Sequence, residues 1–475
     1  MKLKTAPGTQ ALLDLEDAAP DILFERIPGA TSPLWPDVRT AFMTAMQHRD
    51  YGSAPSEPAA SSQVRAWQRL LRSLLPSQWD ARQLRSERPI LYIVGGGTTH
   101  SVSAGLRNWL IGDYLDLFPE LSAVVQWHAI SSPPPAFTMT RSLDPMAARS
   151  GGYARLSRKR VDSALVRRLV REFAARLEGQ ITDDQLVAIA ASATYSASIA
   201  PYFEAEFSKL LDRVRPRIVI MEDASYGGRA ALIAMLKARG ILVVEPQHGW
   251  IGPTHGAYNF GAAMRDPQLL VTLPDEVLTF GEYWSSGIRH PGRAIAIGKP
   301  HLESMAAKAE QWNERPSEVL LVSSVSFPEE TIEFARSLRR ALPPEWVVRF
   351  RPHPSERAVL SSRYGRMLAE PGLHVDDNAD VYESLSTARA VVGTASTVLF
   401  EALAMGCQVF VRDSPYTDYY VGDLFGPPLQ GVGEVDRISR AMLDAEADDE
   451  PSVLDSIWKP GAVENFRSWA EARLN

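Results

Sequence analysis

Several short runs place groups that bind anions or move protons at the ends of apolar, strand-like stretches. Glu222-Asp223-Ala224-Ser225-Tyr226-Gly227 closes the stretch Arg217–Met221. A carboxylate there can deprotonate a hydroxyl or cap the helix that follows, and the sequence leaves both open. Gln247-His248-Gly249 closes Ile241–Glu245, with Thr254-His255-Gly256 shortly after. His248 can be a general base, a donor to phosphate or a buried hydrogen-bonded ring. His248 and His255 make no convincing metal pair, because their loop spacing comes without a nearby carboxylate or thiolate. Arg349-Phe350-Arg351-Pro352-His353-Pro354 closes a third stretch. Alternation along a strand puts Arg349 and Arg351 on one face. Two guanidiniums with His353 beyond them suit a phosphate or carboxylate; a solvated turn is the plain alternative. Gly393-Thr394-Ala395-Ser396-Thr397 joins a strand to a helix. The positive helix end and its free N–H groups favour an anion beside Ser396 and Thr397, while Ser396 is also a natural N-cap. Glu401, about one turn in, can accept from ribose hydroxyls or stand as an exposed carboxylate. Gly95-Gly96-Gly97 lacks the dinucleotide spacing, and Gly96 is expected with His255 on the acceptor side.

Strands alternating with helices must position these runs. Strands are expected at Ile90–Val94, Ser122–His128, Arg217–Met221, Ile241–Glu245 and Val277–Phe280, with a helical stretch over Ala104–Tyr114 and another over Gly228–Arg239, closed by Gly240. The pattern restarts with strands at Glu318–Val322, Trp346–Phe350, Ala388–Val392 and Gln408–Val411 and helices at Pro328–Leu342 and Ser396–Met405. Such alternation means parallel sheets covered by helices, and ligands bind beyond the carboxyl ends of their strands. The Pro/Gly-rich segment Pro291–Pro300 parts the two runs. The expected division is an N-terminal appendage over 1–86, an acceptor-side Rossmann-like domain over 87–288, a nucleotide-sugar domain over 289–445, and a C-terminal segment over 446–475 packing back on the first domain.

With 475 residues, two or three domains are expected. Apolar residues at 45% and charged residues at 23% suit globular cores. A net charge of −7 gives no reason to expect a nucleic-acid partner. The single Cys407 leaves no room for an intrachain disulfide or a cysteine-rich zinc site. Met1–Asp17 has no apolar core, so no signal peptide is expected, and no uninterrupted apolar run is long enough for a membrane span. The expectation is a cytoplasmic protein. Arg141–Arg176 is rich in arginine, including Arg155, Arg158, Arg160, Arg167, Arg168 and Arg171 with Lys159. That stretch is either a solvated face or a peripheral contact with anionic membrane or acidic glycan.

Three segments in order, PQHGWIGPTHGAY (246–258), RFRPHP (349–354) and GTASTVLFEALAMGCQVFV (393–411), resemble bacterial GT-B glycosyltransferases of surface-polysaccharide synthesis. Capsule and lipopolysaccharide Kdo transferases, bacterial sialyl- and polysialyltransferases and teichoic-acid glycerol-phosphate polymerases are the relatives in view. The resemblance spans about residues 215 to 430. It implies an α/β GT-B fold with two Rossmann-like domains whose parallel sheets face across a cleft. It further implies that Arg349, Arg351, His353, Ser396 and Thr397 hold donor phosphate and that Glu401 holds the ribose. Asp223 or Glu222 would be the catalytic base, with His248 in the cleft. The acidic run lacks the glycine usual in sialyltransferases, so the base assignment stays open. The implied reaction is metal-independent transfer of a sugar, first a CMP-activated 2-keto acid such as Kdo or a nonulosonic acid, onto a glycan or glycolipid. No cofactor beyond the nucleotide-sugar substrate is expected. A CDP-polyol phosphotransferase and a non-catalytic nucleotide-sugar-binding protein are the alternatives.

Overall fold

The computed structural model describes residues 7–51, 63–95, 99–130, 132–157, 160–177, 181–323, 328–412, 417, 435–444 and 454–475. Its first sheet is built from β1 (Ile90–Val94), β4 (Ser122–Gln126), β5 (Thr140–Ser142), β6 (Ile218–Met221), β7 (Leu242–Pro246), β8 (Glu276–Thr279) and β9 (Arg293–Ala296). These strands lie in the order β5-β4-β1-β6-β7-β8-β9, all parallel. β1 and β6 are buried along their whole length. Their unbroken runs of branched and aromatic residues suit a sheet covered on both faces.

The second sheet holds β10 (Glu318–Val322), β11 (Val347–Arg351), β12 (Leu373–Val375), β13 (Ala390–Gly393) and β14 (Gln408–Val411). They lie in the order β12-β11-β10-β13-β14, again all parallel. Two such sheets in succession make the chain an α/β protein of two Rossmann-like domains in the GT-B arrangement.

The structure corrects the element assignment in two places. Ala104–Tyr114 is not a helix: β2 (Thr99–Val102) and β3 (Gly105–Asn108) form an antiparallel hairpin, and a short helix follows at Gly112–Leu117. Gly105 makes this possible with φ +130°, and a Cβ there would stand 2.2 Å from the Pro134 carbonyl oxygen. The second correction concerns the border expected at residue 288. β9 pairs with β8, so the first sheet continues to Ala296.

One hydrophobic cluster spans both sheets. Ile251, Tyr258, Phe280 and Trp284 from the first half pack with Leu320, Val391 and Phe400 from the second and with Trp458 from the C-terminal segment. Trp458 donates its indole N–H to the Phe400 carbonyl at 3.0 Å, and Trp284 donates to that of Ile457 at 2.8 Å. Beyond Trp458, the helix Ala462–Leu474 lies on the first sheet. There Phe466 stacks on Tyr114 and the Trp469 indole donates to Glu276 at 2.8 Å. The tail therefore fastens the second domain to the first.

The N-terminal helices Pro7–Ala18 and Trp35–Tyr51 are built into the first domain. Buried Arg39 bonds Glu16 and the carbonyls of Gly256 and Asn259, while Glu16 also accepts from Trp35 and the Gly261 N–H. Thr9 donates to the Thr254 carbonyl. Residues 252–261, which follow the β7 motif, are thereby held from behind.

Candidate functional site

Asp223 sits just past β6 in the left-handed region, with φ 57°. That conformation is uncommon for a residue other than glycine and costs on the order of 1 kcal/mol or more. It separates two adjacent carboxylates. Glu222 points inward, is 5% exposed and accepts from the Gly95 N–H. Burial raises its pKa above the usual carboxylate range, although that bond opposes the shift. Asp223 stays at the surface of the cleft, its Oδ1 3.4 Å from His248 Nε2. The His248 Nδ1 is buried and has no hydrogen-bond partner among the described residues. Arg229 donates to the Glu222 carbonyl, and burial holds its pKa below the ordinary guanidinium value.

A packed network supports this edge. Glu245 on β7 is fully buried and accepts from the Ser225 N–H, the Ser225 hydroxyl and the Tyr258 hydroxyl. Burial pushes its carboxyl up to about 7 against those bonds. The Ser225 hydroxyl also lies 3.0 Å from His290 Nε2, and burial presses that imidazole down to about 4. His255, expected on the acceptor side, is held in a hydrogen-bonded aromatic cluster. Its Nδ1 accepts from the Ala257 N–H and its Nε2 lies 3.0 Å from the Tyr226 hydroxyl. Packed among Tyr226, Trp250 and Tyr258, its imidazole is desolvated down to about 3 and so stays neutral. Tyr226 stands between His255 and His248, its ring centroid 5.5 Å from the latter. Gly96, the other residue expected on the acceptor side, lies outside the described residues.

Across the cleft, Ser396 caps the helix Thr397–Ala404, its hydroxyl accepting from the Val398 N–H at 3.2 Å. A Cβ built on Gly249 would lie 3.8 Å from Thr397 Oγ1. The strand end that carries His248 therefore faces the helix start that carries Ser396 and Thr397.

The other residues expected at the donor site are engaged within the protein. Arg349 Nε bonds Glu318 at 2.8 Å, with its Nη1 3.6 Å from Asp376. Arg351 bonds Asp376 at 2.5 Å and the Asn378 carbonyl at 3.1 Å. Asp376 is completely buried. Both guanidiniums share a face as alternation requires, but neighbouring carboxylates offset their charge. His353 is exposed and serves as a cap: its Nδ1 accepts from the Ser355 N–H, and its own N–H donates to Glu356 at 3.0 Å. Glu401 is 5% exposed and pairs with Lys299. That ammonium is ringed by Phe280, Trp109, Tyr382 and Trp458 at 4.9–5.8 Å.

Sequence reasoning missed Tyr226, Arg229, Glu245, His290 and Lys299. A usable signal existed for Glu245, a carboxylate inside an otherwise apolar strand. Lys299, shortly past the end of β9 at Ala296, carried a weaker one. Among the described residues no group of three or more His, Cys, Asp or Glu side chains is arranged to hold a metal ion.

Fold and site together define a two-domain GT-B protein whose facing strand and helix ends meet in one cleft. The chain matches no protein-family model and no curated protein. Among solved structures it is similar to S. aureus MnaA with UDP, at 12% identity and a TM-score of 0.46, over 82% of this chain and 97% of that one. It is also similar to a Methanocaldococcus jannaschii UDP-GlcNAc 2-epimerase in complex with UDP-GlcNAc and UDP, at 11% identity and a TM-score of 0.44, over 81% and 99%. A third likeness is to the pneumococcal O-GlcNAc transferase GtfA with UDP and GlcNAc, at 13% identity and a TM-score of 0.38, over 57% and 59%. At these scores the likenesses add no argument to the fold read from the sheets.

Proposed function

We propose that the chain is a glycosyltransferase that moves a sugar from a nucleotide donor onto a hydroxyl of a glycan or glycolipid. The observation that carries this reading is the juxtaposition of Asp223 and His248 with the Ser396-Thr397 helix start, through the approach of Gly249 to Thr397. In it, Asp223 takes the proton of the acceptor hydroxyl and His248 orients that carboxylate. The Thr397 hydroxyl and the positive end of the helix hold the donor phosphate as it leaves. Glu222 holds the Gly95 N–H just past β1.

The donor class rests on less. A CMP-activated 2-keto acid keeps the support of the RFRPHP resemblance. The guanidiniums of Arg349 and Arg351, which would suit a sugar carboxylate, are held in ion pairs with Glu318 and Asp376. UDP sugars are therefore to be assayed beside CMP sugars.

Asp223→Asn is the test, because asparagine tolerates the left-handed conformation. Transfer should fall by about 10²–10⁴-fold with nucleotide affinity unchanged. Wild-type turnover in this variant, with loss in His248→Ala or Glu222→Gln, moves the base role to that residue. A phosphorus-containing product replaces sugar transfer with polyol-phosphate transfer.

A further inference from the structure

We propose that the helices Gln63–Leu74, Asp144–Leu156 and Asp183–Val214 form a face that docks onto an anionic lipid surface. The first of these helices turns its apolar side outward. Trp67, Leu71 and Leu74, with Leu75 just beyond, recur at the spacing of one helix face, and they are 49%, 62%, 58% and 64% exposed. Leu156, at the end of the second helix, is 74% exposed, and Tyr153 beside it and Tyr195 on the third are also exposed.

These side chains belong to one continuous surface. A Cβ on Gly152 would meet Leu70 at 2.6 Å, and one on Gly151 would meet the Tyr195 hydroxyl at 3.5 Å. Gly152 thus lets the second helix close on the first, while the contact at Gly151 is ordinary van der Waals distance. Tyr153 and Tyr202 bring their ring centroids to 6.1 Å across the same seam. The third helix has no charged residue from 185 to 203. Among the described residues it is the one helix with the length and composition to suit a membrane, yet only 17% of its apolar stretch is buried. Its packing against the helices Asp144–Leu156 and Ser163–Arg176 places it on a surface rather than across a bilayer.

Charge selects the occupant. The helix Gln63–Leu74 contains Arg65, Arg69 and Arg72 and no acidic residue. Arg72, Arg155 and Arg160 are exposed, and Arg69 pairs with Asp144. A second copy of the chain would bring the same arginines face to face across a two-fold contact. A free acidic glycan would offer no apolar phase to Leu71, Leu74 and Leu156. An anionic bilayer meets both needs, with Trp67, Tyr153 and Tyr195 at the headgroup level.

Co-sedimentation with vesicles of phosphatidylcholine, with and without phosphatidylglycerol, tests the proposal on the full chain. The wild type should sediment with the phosphatidylglycerol vesicles, more weakly at high salt. Trp67→Ser/Leu71→Ser/Leu74→Ser should weaken that binding by about tenfold or more, since affinity follows buried apolar area. Arg72→Ser/Arg155→Ser should weaken it as well, and both variants should bind nucleotide like the wild type. The substituted side chains are exposed, so the fold should survive their loss. The proposal is overturned if the wild type stays in the supernatant, if either variant binds vesicles unchanged, or if the apolar variant instead dissolves a wild-type dimer. Vesicle binding does not depend on any sugar chemistry, so its failure would leave the proposed transfer reaction standing.

Discussion

The ends of β6 and β11 carry similar raw material, charged side chains at the carboxyl edge of a parallel sheet, and the fold uses them in opposite ways. At β6 the left-handed turn at Asp223 swings one carboxylate into the cleft beside His248 and leaves Glu222 buried against Gly95. At β11 the backbone stays regular, and Glu318 and Asp376 from the adjoining strands take up Arg349 and Arg351. Counter-charges from the adjoining β10 and from the end of β12 hold the side chains at β11, whereas the backbone turn at Asp223 leaves its carboxylate facing His248.

Single substitutions can break or sharpen this contrast. The largest effect belongs to Asp223→Asn, which should remove most transfer while the protein melts at nearly its usual temperature. Arg351→Ala should do the reverse. It removes the close counter-charge of buried Asp376, which keeps the Ser384 hydroxyl bond and the longer contact to Arg349, so stability should fall by up to about 3 kcal/mol in chemical denaturation. Nucleotide affinity measured on the folded fraction should hold. A large loss of affinity without loss of stability would return Arg351 to the donor site.

Glu245→Gln should show the smallest effect, and it depends on pH. The buried carboxyl has its folded pKa raised from 4.5 to about 7. Its stabilising contribution is therefore full below pH 4.5 and is lost as pH rises through 7. Glutamine never ionises, so the variant should gain on the wild type across that window by on the order of 2–3 kcal/mol. His290 and His255 are depressed and act with the opposite sign, since their contribution is lost as pH falls from 6.5 toward 4 and below. They are present in both proteins. Melting temperatures of the two proteins from pH 4.5 to 8 check this, and parallel curves would contradict it.

The central strands were legible because burial on both faces demands unbroken apolar runs; Glu318–Val322 and Gln408–Val411 begin and end where the sequence placed them. β9, with the sequence Arg-Ala-Ile-Ala, and β12, with Leu-His-Val, are short, partly exposed edge strands without that signature. That failure carried over to the site. Asp376 follows the unrecognised β12, so nothing in the sequence set it beside Arg351. Lys299 follows the unrecognised β9 and meets Glu401 only through the fold, 102 residues away. Asp223, His248, Ser396 and Thr397 were singled out as candidates because they lie within three local motifs at strand ends. The distances among them, and the supporting shell of Glu245, Ser225, Tyr258 and His290, depend on long-range packing that no local pattern encodes.

The central claim is that the helix start at Thr397 holds the phosphate of a nucleotide opposite Asp223 and His248. Calorimetric titration of the wild type and of Thr397→Val with CMP, CDP, UDP, GDP and dTDP, with and without magnesium, tests it most directly. Valine keeps the shape of the side chain and removes the hydroxyl, and loss of one charge-assisted bond costs about 1.5–3 kcal/mol. The account predicts that at least one of these nucleotides binds the wild type and that Thr397→Val weakens it by about tenfold or more at unchanged stability. No binding by any of the five, or equal affinity in the two proteins, would contradict it.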